Sequence, residues 1–292
     1  MGNLCYMFKA FGRIEGLGGL VNRYATSTCF LAASAMLAIV PAQSAPLQPD
    51  KKWNVDYGET HCVASRAYGT DKDPVTFALR PSASGKIVRL MIIRRGMTFD
   101  PHHIKVTVSH AATPTKTTAL AFGARDKKLE IFWINLEREA LDGIGASEKL
   151  VVRGSGLNEE FALPQIGAVL TALQTCNDDL RKYWNADDDA GTSAIAAHAR
   201  SVKPLAAYLD DKDYPTQALA EGASGKSRMT LLVDETGALK DCTVDETSGI
   251  ASLDAMGCLV FMERAKFTPA RDAAGKPVRS VVSTSITWKT SS

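Results

Sequence analysis

The stretch Arg228-Met229-Thr230-Leu231-Leu232-Val233, Asp234-Glu235-Thr236-Gly237, Leu239-Lys240-Asp241-Cys242-Thr243-Val244 reads as a β-hairpin. Both arms are short and rich in apolar and β-branched residues, and the acidic, glycine-ended tetrapeptide between them supplies the turn. Downstream, after Ser248-Gly249, the residues Leu253, Met256, Gly257 and Val260 share one helical face up to about Ala265. Residues 272–277 then lead into an alternating strand from Val278 to Trp288. Upstream, Tyr214-Pro215 opens a short helix through about Glu221, broken by Gly222-Ala223-Ser224-Gly225. The predicted order over residues 205–292 is therefore helix, strand, strand, helix, strand, forming a small antiparallel sheet.

Residues 50–185 have a different texture. Val75 to Leu79, Ile87 to Ile93, Ile104 to Val108, Leu129 to Ile134 and Leu150 to Val152 read as short strands. Residues 81–85 and Asp142-Gly143-Ile144-Gly145 read as the turns between them. A closing helix begins near Pro164, because Ile166, Val169, Leu170, Leu173, Leu180, Tyr183 and Trp184 recur at helical spacing. The fold class is thus α+β, a β-rich N-terminal domain with a closing helix followed by the smaller C-terminal domain. Between them, residues 186–204 are first acidic and small, then alanine-rich, and read as a linker with room for one weak helix.

At the other end, residues 1–45 carry Lys9, Arg13 and Arg23 against Glu15, then the apolar run Cys29 to Val40, then small residues at Ala42, Ser44 and Ala45. That order is a secretory signal, with cleavage after Ala42 or Ser44. A membrane anchor would need about 20 apolar residues, and the run is nearer half that. Of the 34 basic and 32 acidic residues, this segment takes the three bases and one acid named, leaving a mature chain of net charge near zero. Such a balance argues against nucleic acid as a partner. Export also removes Cys5 and Cys29 and leaves Cys62, Cys176, Cys242 and Cys258, an even set that reads as two disulfides. Four cysteines allow three pairings. Packing within each domain favours Cys62 with Cys176, on the closing helix, and Cys242 with Cys258, on the helix that must cover the hairpin.

The C-terminal residues resemble the C-terminal module of the energy-transducing TonB family. The likeness is carried by Tyr214-Pro215, Gly225, Asp234-Glu235-Thr236-Gly237, Ser248-Gly249, Leu253-Asp254, Ala265-Lys266-Phe267-Thr268-Pro269-Ala270, Asp272, Gly275 and Pro277-Val278. The resemblance implies a periplasmic protein that grips an extended segment of an envelope partner, such as a TonB-dependent outer-membrane receptor, as an added strand. Carried onto this chain, Tyr214 and Pro215 would lie near the partner, and Ser280, Val281, Val282, Ser283, Thr284, Ser285 and Ile286 would form the receiving edge. The same edge would also allow a homodimer. The family's transducers keep a membrane helix bearing a functional histidine and a proline-rich spacer. This chain has neither pattern, so coupling to the inner membrane, as an anchored transducer, is the alternative reading. A third is a structural envelope protein acting through its N-terminal domain, which bears a faint likeness to invasion-associated locus B proteins through an early tryptophan, an early cysteine and a late cysteine on a helix.

Other motifs lead nowhere chemical. Gly222 to Ser227 ends like a phosphate-binding loop but has two residues between its glycines instead of four, and runs from helix into strand. His102-His103, read as a solvated turn after Asp100-Pro101, cannot easily ligate one ion from an extended chain; His61 and His110 are the remaining candidates there, and His198 reads as exposed. Asp187-Asp188-Asp189 lacks the spaced ligands of a calcium loop. No cofactor or metal is expected, and without a nucleophile elbow or converged acid–base pair the chain reads as a binding protein, not an enzyme.

Overall fold

Strands that alternate apolar and polar side chains need neighbours along both edges and cover over one face. In the computed structural model, which describes residues 46–96, 101–110, 113–124, 128–186 and 195–290, the first half meets that need with one nine-stranded antiparallel sheet. Its strands are β1 (Asn54–Tyr57), β2 (Cys62–Thr70), β3 (Asp73–Pro81), β4 (Ile87–Arg95), β5 (His102–His110), β6 (Thr113–Ala124), β7 (Leu129–Glu137), β8 (Lys149–Gly154) and β9 (Leu157–Ala162), in the order β1-β2-β3-β4-β7-β6-β5-β8-β9. The ends of the sheet approach each other, because Leu47 bridges Phe161 of β9 and Pro49 bridges Tyr68 of β2. Inside the roll, Tyr68, Phe77 and Phe161 meet ring on ring at 5.1 to 6.5 Å.

Five strands are expected from the sequence, and the structure adds β1, β2, β6 and β9. Two helices accompany the sheet, α1 (Ala140–Ser147) and α2 (Ile166–Tyr183). The predicted turn Asp142-Gly143-Ile144-Gly145 is instead the body of α1. Ile144 is its fully buried anchor, and Gly143 lies so close to the His110 ring that a Cβ would come within 2.2 Å of Nδ1. These glycines serve close packing rather than chain reversal. His102-His103 open β5 instead of forming a turn.

Helix α2 buries Ile166, Val169, Leu173, Cys176, Leu180 and, at its cap, Trp184, leaving Tyr183 exposed. It is fixed at three points. Trp53 Nε1 donates to the Pro164 carbonyl (3.1 Å) before its start, the disulfide Cys62–Cys176 staples its middle to β2, and Trp184 Nε1 donates to the Glu59 carbonyl (2.8 Å) at its end.

The second half has its own core. After β10 (Arg200–Ser201) and α3 (Thr216–Ala220) come β11 (Gly225–Val233), β12 (Leu239–Glu246) and α4 (Ala251–Arg264). The short strands β13 (Phe267–Thr268), β14 (Ala270–Arg271) and β15 (Pro277–Val278) then lead to β16 (Ser280–Trp288). The three-stranded antiparallel sheet runs β12-β11-β16, and α4 covers one face, setting Leu253, Val260 and Phe261 against Met229, Leu231 and Val233. Gly257 permits this approach, since a Cβ there would meet Met229 Cε at 2.5 Å. The disulfide Cys242–Cys258 ties β12 to α4. The predicted order of elements is reproduced. The alanine-rich stretch, with its room for a weak helix, is instead extended from Ile195 onward, with Ala197 bridged to Arg271 and β10 paired to β13. The signal-like residues 1–45, residues 187–194 of the linker, the Asp187 triplet within it and Asp100 lie outside the described residues.

From Leu47 onward the chain forms one compact unit, and the two cores meet within it. Arg89, on the outer face of β4, is 6% exposed and sits 4.7 Å above the Trp133 ring. Its Nε donates to Asn135 Oδ1 (3.0 Å), an Nη donates to the Val244 carbonyl of β12 (3.1 Å), and Asn135 Nδ2 donates to the same carbonyl (3.0 Å). Beside it, Arg80 pairs with Asp241 at 2.6 Å. Desolvation, together with Arg80, lowers the Arg89 pKa to about 10, so the group stays charged at neutral pH.

Two stability measurements follow. Cys176→Ser opens a loop of 114 residues and should cost about 4 to 5 kcal/mol, whereas Cys258→Ser opens one of 16 and should cost about 3 kcal/mol, read from urea unfolding of the oxidised proteins. Arg89→Met should destabilise by about 3 kcal/mol in the same assay, because it strips a buried cation from Asn135 and from the acids around it; a loss below about 1 kcal/mol would show that the junction contributes little.

Candidate functional site

An edge strand presents a row of backbone N–H and C=O groups to whatever lies beside it. In a three-stranded sheet the two outer strands each have such an edge, and here the two edges differ. That of β12 faces the β-rich half. The Val244 carbonyl takes the bonds from Arg89 and Asn135, Asp241 is held by Arg80, and just beyond the strand Thr247 Oγ1 lies 3.2 Å from His103 Nε2. The strand β16 pairs with β11 residue for residue, from Ser280 opposite Val233 to Trp288 opposite Gly225. Its outer edge has no strand partner among the described residues.

All seven residues predicted as the receiving edge, Ser280, Val281, Val282, Ser283, Thr284, Ser285 and Ile286, lie on β16. Their side chains divide. Ser280 and Ile286 are buried, Val282 packs on the core beneath α4, and Val281 packs on the core of the β-rich half. Ser283 and Ser285 are exposed, so the middle of the strand is where both backbone edge and side chains are accessible.

The two ends of this edge are held by different groups. At its start, Asn185 Nδ2 donates to the Arg279 carbonyl (2.7 Å), while the Arg279 guanidinium stacks on Tyr183 at 4.2 Å and pairs with Glu235 at 3.0 Å. At its far end, Tyr214 meets Trp288 edge-on, with ring centroids 5.4 Å apart, and donates its hydroxyl to the Ala223 carbonyl. Tyr214 therefore borders the end of β16 and is not set alongside residues 280–286. Pro215, half-buried, is the residue from which α3 starts.

Sequence reasoning missed what holds Tyr214 in place. Asp213 receives both guanidinium nitrogens of Arg264, at 2.7 and 2.8 Å, and Arg264 also donates to the Tyr208 carbonyl (3.3 Å). Asp213 and Asp210 close a reciprocal capping box around the turn before Tyr214. The legible signal was the spacing of Asp210 and Asp213. Nothing pointed to Arg264 as the partner.

Among the described residues no group of three or more His, Cys, Asp or Glu side chains gathers as a metal site would, and no helix is long and apolar enough to cross a membrane. His103, near Thr247 and half-buried, has its pKa lowered first by burial.

Residues 210–290 match a family model described as the C-terminal region of the Gram-negative bacterial TonB protein. The matched segment spans Tyr214-Pro215, the whole three-stranded sheet and α4, and supports a TonB-like protein-interaction role in the Gram-negative envelope. No curated protein matches the chain.

The hydrogen bonds from Arg264 hold the Asp213 carboxyl below its ordinary value. A depressed folded-state pKa gives stability that is present above the unfolded value and is lost as pH falls through the folded one. Asp213→Asn should thus be less stable than the parent at about pH 6, with the gap closing towards about pH 3, when both are unfolded in urea across that range.

Proposed function

We propose that this protein works in the periplasm as a binding protein, not an enzyme, capturing an extended segment of an envelope partner as an additional strand on the outer edge of β16. The observation that carries this reading is the asymmetry of the sheet. The β-rich half occupies one edge through Val244, and the other is left without a partner among the described residues. A segment docking there gains main-chain hydrogen bonds along β16, while alternate side chains supply selectivity. The match of residues 210–290 to the TonB C-terminal region favours an outer-membrane transporter as the partner class.

A second reading, in which the module is a structural part of the envelope protein and the β-rich half binds the partner, draws support from the depth of the Arg89 junction. The two separate by experiment. Adjacent residues of an antiparallel strand direct their N–H groups to opposite edges. Of Ser283→Pro and Thr284→Pro, one therefore leaves the pairing with β11 intact while removing an outward donor. That variant should keep the parent's melting behaviour and lose binding to extended peptides taken from outer-membrane transporters, measured by calorimetry. Unchanged peptide affinity in a folded variant of each kind would favour the second reading.

A further inference from the structure

Two histidines of the β-rich half stand where the C-terminal module rests on it. His103, at the start of β5, meets the turn before α4, with its Nε2 3.2 Å from Thr247 Oγ1. The Thr247 hydroxyl has one proton, which it donates to Asp254 Oδ2 (2.5 Å), and it already accepts from the Gly249 N–H (3.0 Å). Thr247 can therefore only accept from His103, which places the proton of the neutral ring on Nε2. The other nitrogen, Nδ1, is buried with no hydrogen-bond partner among the described residues. Acid would put the second proton there, as a charged N–H in a site without an acceptor.

His61, in the loop between β1 and β2, stands within electrostatic reach of the second contact, the pair of Arg80 and Asp241. Gly58 lies so close to its ring that a Cβ would come within 2.7 Å of Cε1. Thr60 Oγ1 lies 3.3 Å from Nδ1, while Nε2 is buried, with Asp56 Oδ2 3.6 Å away and beyond hydrogen-bond reach.

The groups facing each ring are mixed in sign. At His61, burial and then Arg80 oppose the charged form, and Asp56 and Asp241 favour it. At His103, burial and His102 oppose it, and Asp254 and the Gly249 backbone favour it. Burial is the largest influence in both, so both rings are held below the ordinary 6.5. A histidine lowered in the folded state gives stability that is present above the unfolded value and is lost as pH falls from there through the folded one. Asp245, beside Arg89, works the other way, because burial pushes its carboxyl up and acid favours the folded form at that group.

We propose that mild acid loosens the contact between the two halves at His61 and His103, and so uncovers the edge of β12 that Arg80, Arg89 and Asn135 close at neutral pH. This device does not depend on what binds at β16.

The test follows hydrogen exchange of the full chain by mass spectrometry at about pH 7.5 and about pH 5.5, either side of the ordinary histidine value, with intrinsic rates corrected for pH. Segments from β12 and the turn holding Thr247 should exchange about fivefold faster at the lower pH, the low end of coupling between two sites, while β8 and α2 keep their protection. The double variant His61→Asn with His103→Gln keeps polar groups towards Thr60 and Thr247 but cannot take up the charge. It should lose the acceleration although Asp245 is still present. Proton NMR titration of the parent's histidines needs no variant, and the two junction rings should ionise below 6.5, over the pH range in which exchange accelerates. Unchanged exchange at β12 while both rings ionise, equal acceleration in α2 and β8, or acceleration that survives in the folded double variant overturns the proposal. Should that variant not fold, coincidence of the parent's two pH curves decides alone.

Discussion

A guanidinium buried between two layers decides how the rest of this molecule can be used. Arg89 leaves the outer face of β4, stacks over Trp133 and ends on the Val244 carbonyl of β12. Burying a cation is tolerated only where nearly every N–H finds an acceptor and acids stand close by. Asn135, Asp241 and Asp245 fill those roles. Because the acceptor is a main-chain carbonyl on an edge strand, the same bond that satisfies the arginine also closes that edge. The sheet cannot grow on the β12 side without breaking the junction, which leaves growth on the side of β16.

Legibility in the sequence follows the same division between local and non-local forces. The C-terminal module could be read because its devices are local: alternation in β11, an Asp-to-Gly turn, and a helical face containing Leu253 and Val260. In the β-rich half, β2 and β6 escaped because small and polar residues dominate runs such as Cys62-Val63-Ala64-Ser65 and Thr113-Pro114-Thr115-Lys116, where the sheet's own pairing overrides weak propensity. The misreading of α1 has a similar origin. Glycines that mark a turn in isolation are, at Gly143 and Gly145, the positions where a helix passes close to His110 and Leu170.

For the candidate site the split is sharper. The position of the edge strand was legible through the family resemblance, but its openness was not. On paper Arg80, Arg89 and Asn135 are polar residues on strand faces, the usual sign of solvent contact. Only tertiary placement turns them into the groups that cover β12. Likewise Asp213 and Arg264 are separated by 51 residues, a distance over which no spacing rule operates. Tyr214, expected from the resemblance to lie near a partner, makes its ring contact with Trp288 at the end of β16, and the Asp213–Arg264 fork fixes the turn that carries it.

An open edge is also a hazard, since any extended chain can pair with it. The middle of β16 is built from exposed Ser283 and Ser285 flanking half-buried Thr284, residues that add little hydrophobic attraction to what the backbone offers. Main-chain pairing alone is therefore a weak and indiscriminate reward. In the proposed strand addition, selectivity would have to come from beyond the strand, and the β3–β4 turn of the β-rich half lines a crevice together with these residues. The buried junction that closes β12 thus holds that turn in register with the free edge. Since both halves are already fixed by Arg89, by Cys62–Cys176 and by Cys242–Cys258, the ordering cost of the proposed strand addition would fall mainly on the incoming segment.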